Sequence, residues 1–308
     1  MRAHKTLSKL LGSGQPSMQF KIAHRVEFGF SAPVFFEPMT VRLHPRSDAA
    51  QTTRIHRLEV TPPPIRTTRI LGLDGNVEEI LWFSGLHRNL TLIASSEVQT
   101  LRKNPFDFLL TDSRAHTLPL AYSSSLSSLL SPYLDPSPGM ADDDIFRDFV
   151  NEVRKASGNE ILPFLTFLIR HIRESFGYTV REAGEPHSPD RTLREGKGSC
   201  RDFALLAIAA CRACHIAARF TSGYHAPGTH EEPDLHAWIE VYLPGAGWRG
   251  CDPSEGLMAA DHHIALVSSA LPSMTLPTEG HFRGDGRSGL ETRITVERSE
   301  DPVPDQKC

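Results

Sequence analysis

GKGSCRDFALLAIAACRACHI, residues 196–216, opens on a cysteine set after two glycines and then turns apolar in the rhythm of a helix. Phe203, Leu206, Ala207 and Ala210 share one face, which predicts a helix starting near Ser199 or Cys200 and running to about Cys214. Cys200 therefore falls in the first turn. Gly196 and Gly198 are read as backbone that other residues follow poorly. Unpaired N–H groups and the helix dipole favour an anion there, so a thiol that also pairs with a histidine can fall from ~8.5 toward ~3.5–7.5. The thiolate is the form that attacks an acyl carbon. The competing reading is a small packed hydrophobe, the common role of a cysteine in a reducing compartment. Burial by itself gives no reason to place it where a helix begins.

A nucleophile requires a base, and the base something to orient it. His236 lies in DLHAWIEVY, a strand pattern with Ala237, Ile239 and Val241 on one face and the histidine on the other. Asp252 lies in the next strand pattern, GWRGCDPS, after the turn formers Pro244-Gly245-Ala246-Gly247. An odd hairpin loop turns both side chains to one face, where the carboxylate can fix the imidazole tautomer. An even loop separates them unless a bulge intervenes.

The chain has 308 residues, 39% hydrophobic and 23% charged, room for two cores. Net charge is −4 and the basic residues are scattered, which speaks against a nucleic-acid partner or an anionic membrane surface. No apolar run suits a signal peptide or a membrane span, so a soluble, cytoplasmic protein is expected. Five cysteines at irregular spacing do not form a disulfide framework.

From Phe20 to about Leu101 the chain reads as short strands: FKIAHRVEFGF, TVRLHPR, RIHRLEVTP, EEILWFS and NLTLIASSEV, with turn formers such as Asp74-Gly75-Asn76 between them. The organisation expected is an N-terminal extension (1–18), a β-rich domain (19–101), a Pro/Ser-punctuated connector (102–141), a catalytic core (142–260) and a C-terminal segment (261–308) with one strand candidate, ETRITVERS. In the core, Asp142, Asp143 and Asp144 start a helix carrying Ile145, Phe149 and Val153 on one face, and a second helix runs from about Glu160 to Phe176.

GKGSCRDFALLAIAACRACHIAARFTSGYH followed by DLHAWIEVYLPGAGWRGCDPSEG resembles the transglutaminase-like superfamily, in particular its bacterial and archaeal members related to cysteine peptidases. The shared pattern is Gly-x-Cys-x-Asp, then a His-Ala-Trp strand, then Gly-Trp…Asp-Pro. FKIAHRVEFGFSAPVFFEPMTVRLHPR and DGNVEEILWFSG resemble the β-rich N-terminal domain of one branch, so the likeness runs from Met18 to about Asp261. It implies an α+β fold, a papain-like transglutaminase core with the cysteine helix packed on an antiparallel sheet, preceded by an all-β sandwich-like domain. It also implies a Cys200, His236, Asp252 triad, no cofactor or metal, and a peptide or protein substrate. The function expected is acyl transfer through a thioester, with hydrolysis by a peptidase or amidase preferred; a cross-linking transglutaminase and an idle peptide-binding module with the same fold are the alternatives. The chain departs from the family pattern after Asp261, where HHIALVSSALPSMTLPTEGHFRG keeps a His-Ile but lacks a Gly-Arg-Asp run. His215 also stands where relatives have the glycine of a left-handed cap.

Other reactive residues have plainer readings. Cys211-Arg-Ala-Cys214 offers a redox or zinc pair, but it ends a helix and no second pair follows, so packing is expected. Cys251 should face away from Asp252 and be buried. His225, His230, His262 and His263, with Asp234 or Asp261, could ligate a metal, yet HAPGTHEEPD reads as a mobile loop and these histidines as solvated. Trp238 and Trp248 are expected to pack the sheet, and Asp202 to serve the helix's first turn.

Overall fold

Phe20, Ile22, His24 and Val26 point inward while Lys21, Ala23 and Arg25 point outward, the two-residue period of a strand buried on one face. That strand, β1 (Met18–Phe36), is the spine of the N-terminal half. Beside it come β2 (Met39–Val41), β3 (Gln51–Thr61), β4 (Arg66–Leu71), β5 (Val77–Trp82) and β6 (His87–Thr100), with no helix, as the sequence predicts. Strand β4 goes unread in the sequence because its burial barely alternates. The computed structural model describes residues 18–136, 143–181, 184–226 and 235–299. Residues 1–17, Asp142, residues 227–234 with His230 and Asp234, and Cys308 lie outside the described residues.

The connector carries two short helices, α1 (Ser124–Leu129) and α2 (Ser131–Leu134). Helix α3 (Asp144–Ala156) starts on Asp143, whose carboxylate accepts the Ile145 N–H, and buries Phe146, Phe149, Val150 and Val153. Helix α4 (Ile161–Ser175) buries six apolar residues, among them Phe164, Leu168 and Ile172. Strand β7 (Gly177–Tyr178) leads toward α5 (Pro189–Glu195), which ends on Gly196 at φ +62°. Strand β8 (Lys197–Gly198), parallel to β7, then delivers the chain to α6 (Cys200–Ala213). His215 does adopt the left-handed conformation, φ +58°, and its Nδ1 lies 2.6 Å from the Leu120 carbonyl.

After α6 come β9 (Ala218–His225), β10 (Leu235–Leu243), β11 (Gly247–Asp252), β12 (Leu257–Met258) and β13 (His263–Ser269), forming an antiparallel sheet in the order β12-β11-β10-β9-β13. The tail holds more strand than the single segment read from its sequence: β13 joins the core sheet, and β14 (Thr278–Glu279), β15 (Phe282–Arg283) and β16 (Ser288–Ser299) return to the N-terminal sheets. There β16 pairs with β1 over its whole length. HIALVSS is a short unbroken apolar run, a pattern that periodicity cannot assign.

The core sheet lies between two apolar clusters. Ala237, Ile239, Val241 and Leu243 face the helices, with Phe203, Ala207 and Ala210 of α6 among their partners. Tyr224, Ile264, Leu266 and Val267 instead share a cluster with Val26, Phe36, Leu81 and Leu92 of the two N-terminal sheets. The fold is thus a mixed α+β papain-like core joined to a β sandwich.

Candidate active site

Cys200 is the first residue of α6, and Ser199 with Asp202 closes a capping box in front of it. The Asp202 Oδ2 accepts from the Ser199 backbone N–H at 2.7 Å and from its hydroxyl at 2.8 Å. Its Oδ1 accepts from Arg181 Nη2 and from the His187 N–H, each at 2.6 Å. Burial raises the proton affinity of this carboxyl, but these donors outweigh it and hold Asp202 below the usual carboxylate range. Asp202 therefore serves the helix start, as its position predicts. Gly198 takes no left-handed angle; its lack of a Cβ matters because one would lie 2.9 Å from the Asp202 Cβ. Gly196 alone of the pair matches the dihedral reading.

The hairpin between β10 and β11 pairs Leu243 with Gly247 and leaves three residues in the loop, Pro244, Gly245 and Ala246. Because that number is odd, His236 and Asp252 face the same side of the sheet. His236 Nε2 lies 2.7 Å from Asp252 Oδ2. Cys200 lies near enough to His236 to favour its charged form. Because Asp252 occupies Nε2, Nδ1 is the ring nitrogen left to serve Cys200. Cys200 and His236 each keep 8% of their surface exposed while Asp252 keeps none, so the carboxylate is the innermost of the three.

Burial disfavours a charged His236, yet Asp252 and then Cys200 outweigh it and raise its pKa well above the ordinary value. Burial likewise works against an ionised Asp252, and the His236 and His263 donors prevail, keeping it a carboxylate. Its other oxygen, Oδ1, accepts the Ser254 N–H at 2.8 Å and the Glu255 N–H at 3.1 Å.

Two histidines read as solvated loop residues belong to this site instead. His263, 7% exposed in its side chain, opens β13 with Nε2 2.9 Å from Asp252 Oδ2. His225 closes β9, with its ring centroid 4.8 Å from that of His263 and 5.4 Å from that of His236. Burial first, and then the neighbouring imidazoles, lower the His225 pKa to about 4. Both were misread because His225 stands at the very end of its strand pattern and His263 opens the unassigned apolar run. The His-Ile after Asp261 was the available signal. His262 stays half-exposed beside Asp261, in keeping with the solvated reading.

His236, Asp252 and His263 bring their ligand atoms within 4.8 Å of one another, a donor set that a metal ion could use. The hydrogen bonding fits that role poorly. The Ala260 N–H points at His263 Nδ1, 3.4 Å away, so the ring proton sits on Nε2 and is donated to Asp252. A metal would require that nitrogen's lone pair.

The remaining cysteines among the described residues pack. Cys211, Cys214 and Cys251 are buried, burial pushing the Cys214 thiol up to about 11, and Cys251 Sγ rests 3.5 Å from Met258 Sδ on the face away from Asp252. Trp238 is 2% exposed. It lies flat because Gly223 leaves space where a Cβ would come within 2.6 Å of its ring. Trp248 packs under the Arg219 guanidinium, 4.1 Å from its ring centroid.

A cysteine at a helix start facing a histidine on an antiparallel sheet defines a papain-like arrangement. Residues 147–253 match the profile of the transglutaminase-like superfamily and residues 20–99 that of the bacterial transglutaminase-like N-terminal region, and the chain belongs to this superfamily. The superfamily includes cysteine peptidases and cross-linking transglutaminases, and its fold is generally catalytic. An uncharacterized protein of Mycobacterium leprae is 24% identical over 288 residues, 91% of this chain and 99% of that one. A protein-glutamine gamma-glutamyltransferase of Pseudomonas aeruginosa is 28% identical over 120 residues, 35% of this chain and 18% of that one. The crystal structure of a cysteine-protease candidate from Cytophaga hutchinsonii has the same fold, with TM-score 0.68 at 19% identity over 94% of this chain and 93% of that one.

Proposed function

We propose that the protein is a cysteine-dependent acyl-transfer enzyme acting on peptide or carboxamide substrates, with water as the acceptor. The observation that carries this reading is the His236 Nε2–Asp252 Oδ2 pair at 2.7 Å set beside Cys200, the first residue of α6. Asp252 fixes the tautomer that leaves Nδ1 toward sulfur, and the imidazolium it supports stabilises a thiolate. That thiolate adds to the substrate carbonyl carbon, forming a C–S bond. The developing oxyanion would meet the Cys200 backbone N–H, which as the first of the helix has no intrahelical partner. His236 then gives its Nδ1 proton to the leaving nitrogen as the C–N bond breaks, leaving a thioester. Water attacks the thioester while His236 takes a proton, and the acid leaves with the thiol restored.

Free, buried thiols at Cys211, Cys214 and Cys251 suit a reducing, cytoplasmic setting, which is part of the same proposal. A lysine amine in place of water would make the enzyme cross-linking, a second reading favoured by the local likeness to the Pseudomonas gamma-glutamyltransferase. The test is a peptide-library digest read by mass spectrometry, comparing the native protein with Cys200→Ala. Cleaved or deamidated peptides with the native protein only are expected; amine-linked products would transfer the proposal to cross-linking. No turnover, or turnover that survives Cys200→Ala, would refute acyl transfer at Cys200.

A further inference from the structure

We propose that His263 is a positioning residue of this site: by donating to the same Asp252 oxygen that His236 uses, it sets how strongly the carboxylate holds the His236 proton. The inference rests on the roles given above to His236 and Asp252. Oδ1 of Asp252 is already anchored by two backbone N–H groups, so the place of the carboxylate does not depend on a further donor. Oδ2 nevertheless receives two imidazoles, His236 at 2.7 Å and His263 at 2.9 Å. An oxygen shared between two donors gives each less than it would give one alone, because each donor draws on the same charge. His263 thereby limits the pull on His236. A general acid must release its proton to a leaving nitrogen and take one back at each turnover, which too strong a carboxylate would oppose.

The ring is held where this sharing works. His263 sits edge-on to Trp238, ring centroids 5.2 Å apart, at the start of the edge strand β13. The outer edge of β13 is not bare: two side-chain amides of the N-terminal sandwich act on it like residues of a paired strand. Gln51 donates Nε2–H to the Ala265 carbonyl at 2.9 Å and accepts the Ala265 N–H at 2.7 Å. Asn76 does the same to Ser268, at 2.8 and 2.9 Å. The sandwich thus reaches the site through the strand that carries His263.

Among the described residues, the titratable groups facing His236 are Cys200 from α6, His225 from β9, Asp252 from β11 and His263 from β13, with His262 beyond His225. His225 stays neutral above about pH 4, so it adds no charge that changes with the His236 proton.

The experiment is an NMR titration of the full chain carrying 15N-histidine, following His236 in the native protein, His263→Leu and His263→Gln. The glutamine amide can place an N–H where Nε2 stood; leucine cannot. In His263→Leu the His236 midpoint is expected to rise, by about three- to tenfold in proton affinity. In His263→Gln it should remain within about twofold of the native value, the donor being restored. A lowered or unchanged midpoint in His263→Leu would overturn the proposal, since a merely structural role weakens the Asp252 contact or leaves it alone. Should the leucine variant not fold, His263→Ala removes the same donor and carries the same expectation. Absence of turnover in the native protein would count against acyl transfer without altering this proton shift, so the two proposals fail separately.

Discussion

Asp252 is a fully buried carboxylate with four hydrogen-bond donors, two backbone amides on Oδ1 and two imidazoles on Oδ2. An asparagine of the same shape must turn its NH2 toward one of those pairs. Facing the backbone amides it would oppose donor to donor, so the NH2 would face the imidazoles, and His236 would have to accept with Nε2. Its proton would then move to Nδ1, the nitrogen that must take the Cys200 proton. Asp252→Asn is therefore expected to lower kcat by roughly 10³-fold or more with KM little changed, measured on a peptide taken from the digest. A loss expressed in KM alone would place Asp252 outside the proton path.

The cysteine helix works as an element because its first turn is tied to the chain before it. Asp202 gathers Ser199, Arg181 and the His187 N–H, and the Arg201 guanidinium holds the carbonyls of Arg181 and Gly184. Asp202→Ala strips a buried anion from these donors, and the midpoint of urea unfolding should fall by the equivalent of about 2–4 kcal/mol. A stability within about 0.5 kcal/mol of the native chain would show that the box is ornamental. The sequence made this element legible: an acid three residues after a serine, before an apolar run at helical spacing, has one local explanation. The face of α3 and the existence of α4 were legible for the same reason, that helical spacing is decided within a few residues, whereas the parity of the β10–β11 loop stayed open in the sequence and was settled by the Leu243–Gly247 pairing. Strand β13 was not. Nothing local marks HIALVSS as the edge of a sheet, so His263 passed for a loop histidine although its position after Asp261 stood out.

At the scale of the molecule, the sandwich and the core are joined by buried polar contacts between residues nearly 200 positions apart. Arg46 grips Glu240 with both Nη atoms, at 3.1 and 2.7 Å, while Arg219 Nε donates to the same carboxylate at 2.8 Å. Burial would favour a protonated Glu240; the two guanidiniums hold it ionised. Neither partner announces the other in the sequence, since an arginine ending one strand pattern and a glutamate within another read as ordinary surface charges. With Gln51 and Asn76 on β13 and β16 returned to β1, these contacts leave the active site resting on a sheet whose far edge the sandwich supplies. The whole arrangement matters for chemistry only if it delivers an imidazolium to the sulfur of Cys200. The direct measurement is iodoacetamide labelling of the native chain at about pH 5.5, resolved by cysteine with mass spectrometry and repeated on His236→Ala. Cys200 is predicted to react at least about tenfold faster than Cys211, Cys214 and Cys251, and to lose that advantage in the variant. Equal slow labelling of these thiols, or a Cys200 rate indifferent to His236, would contradict it.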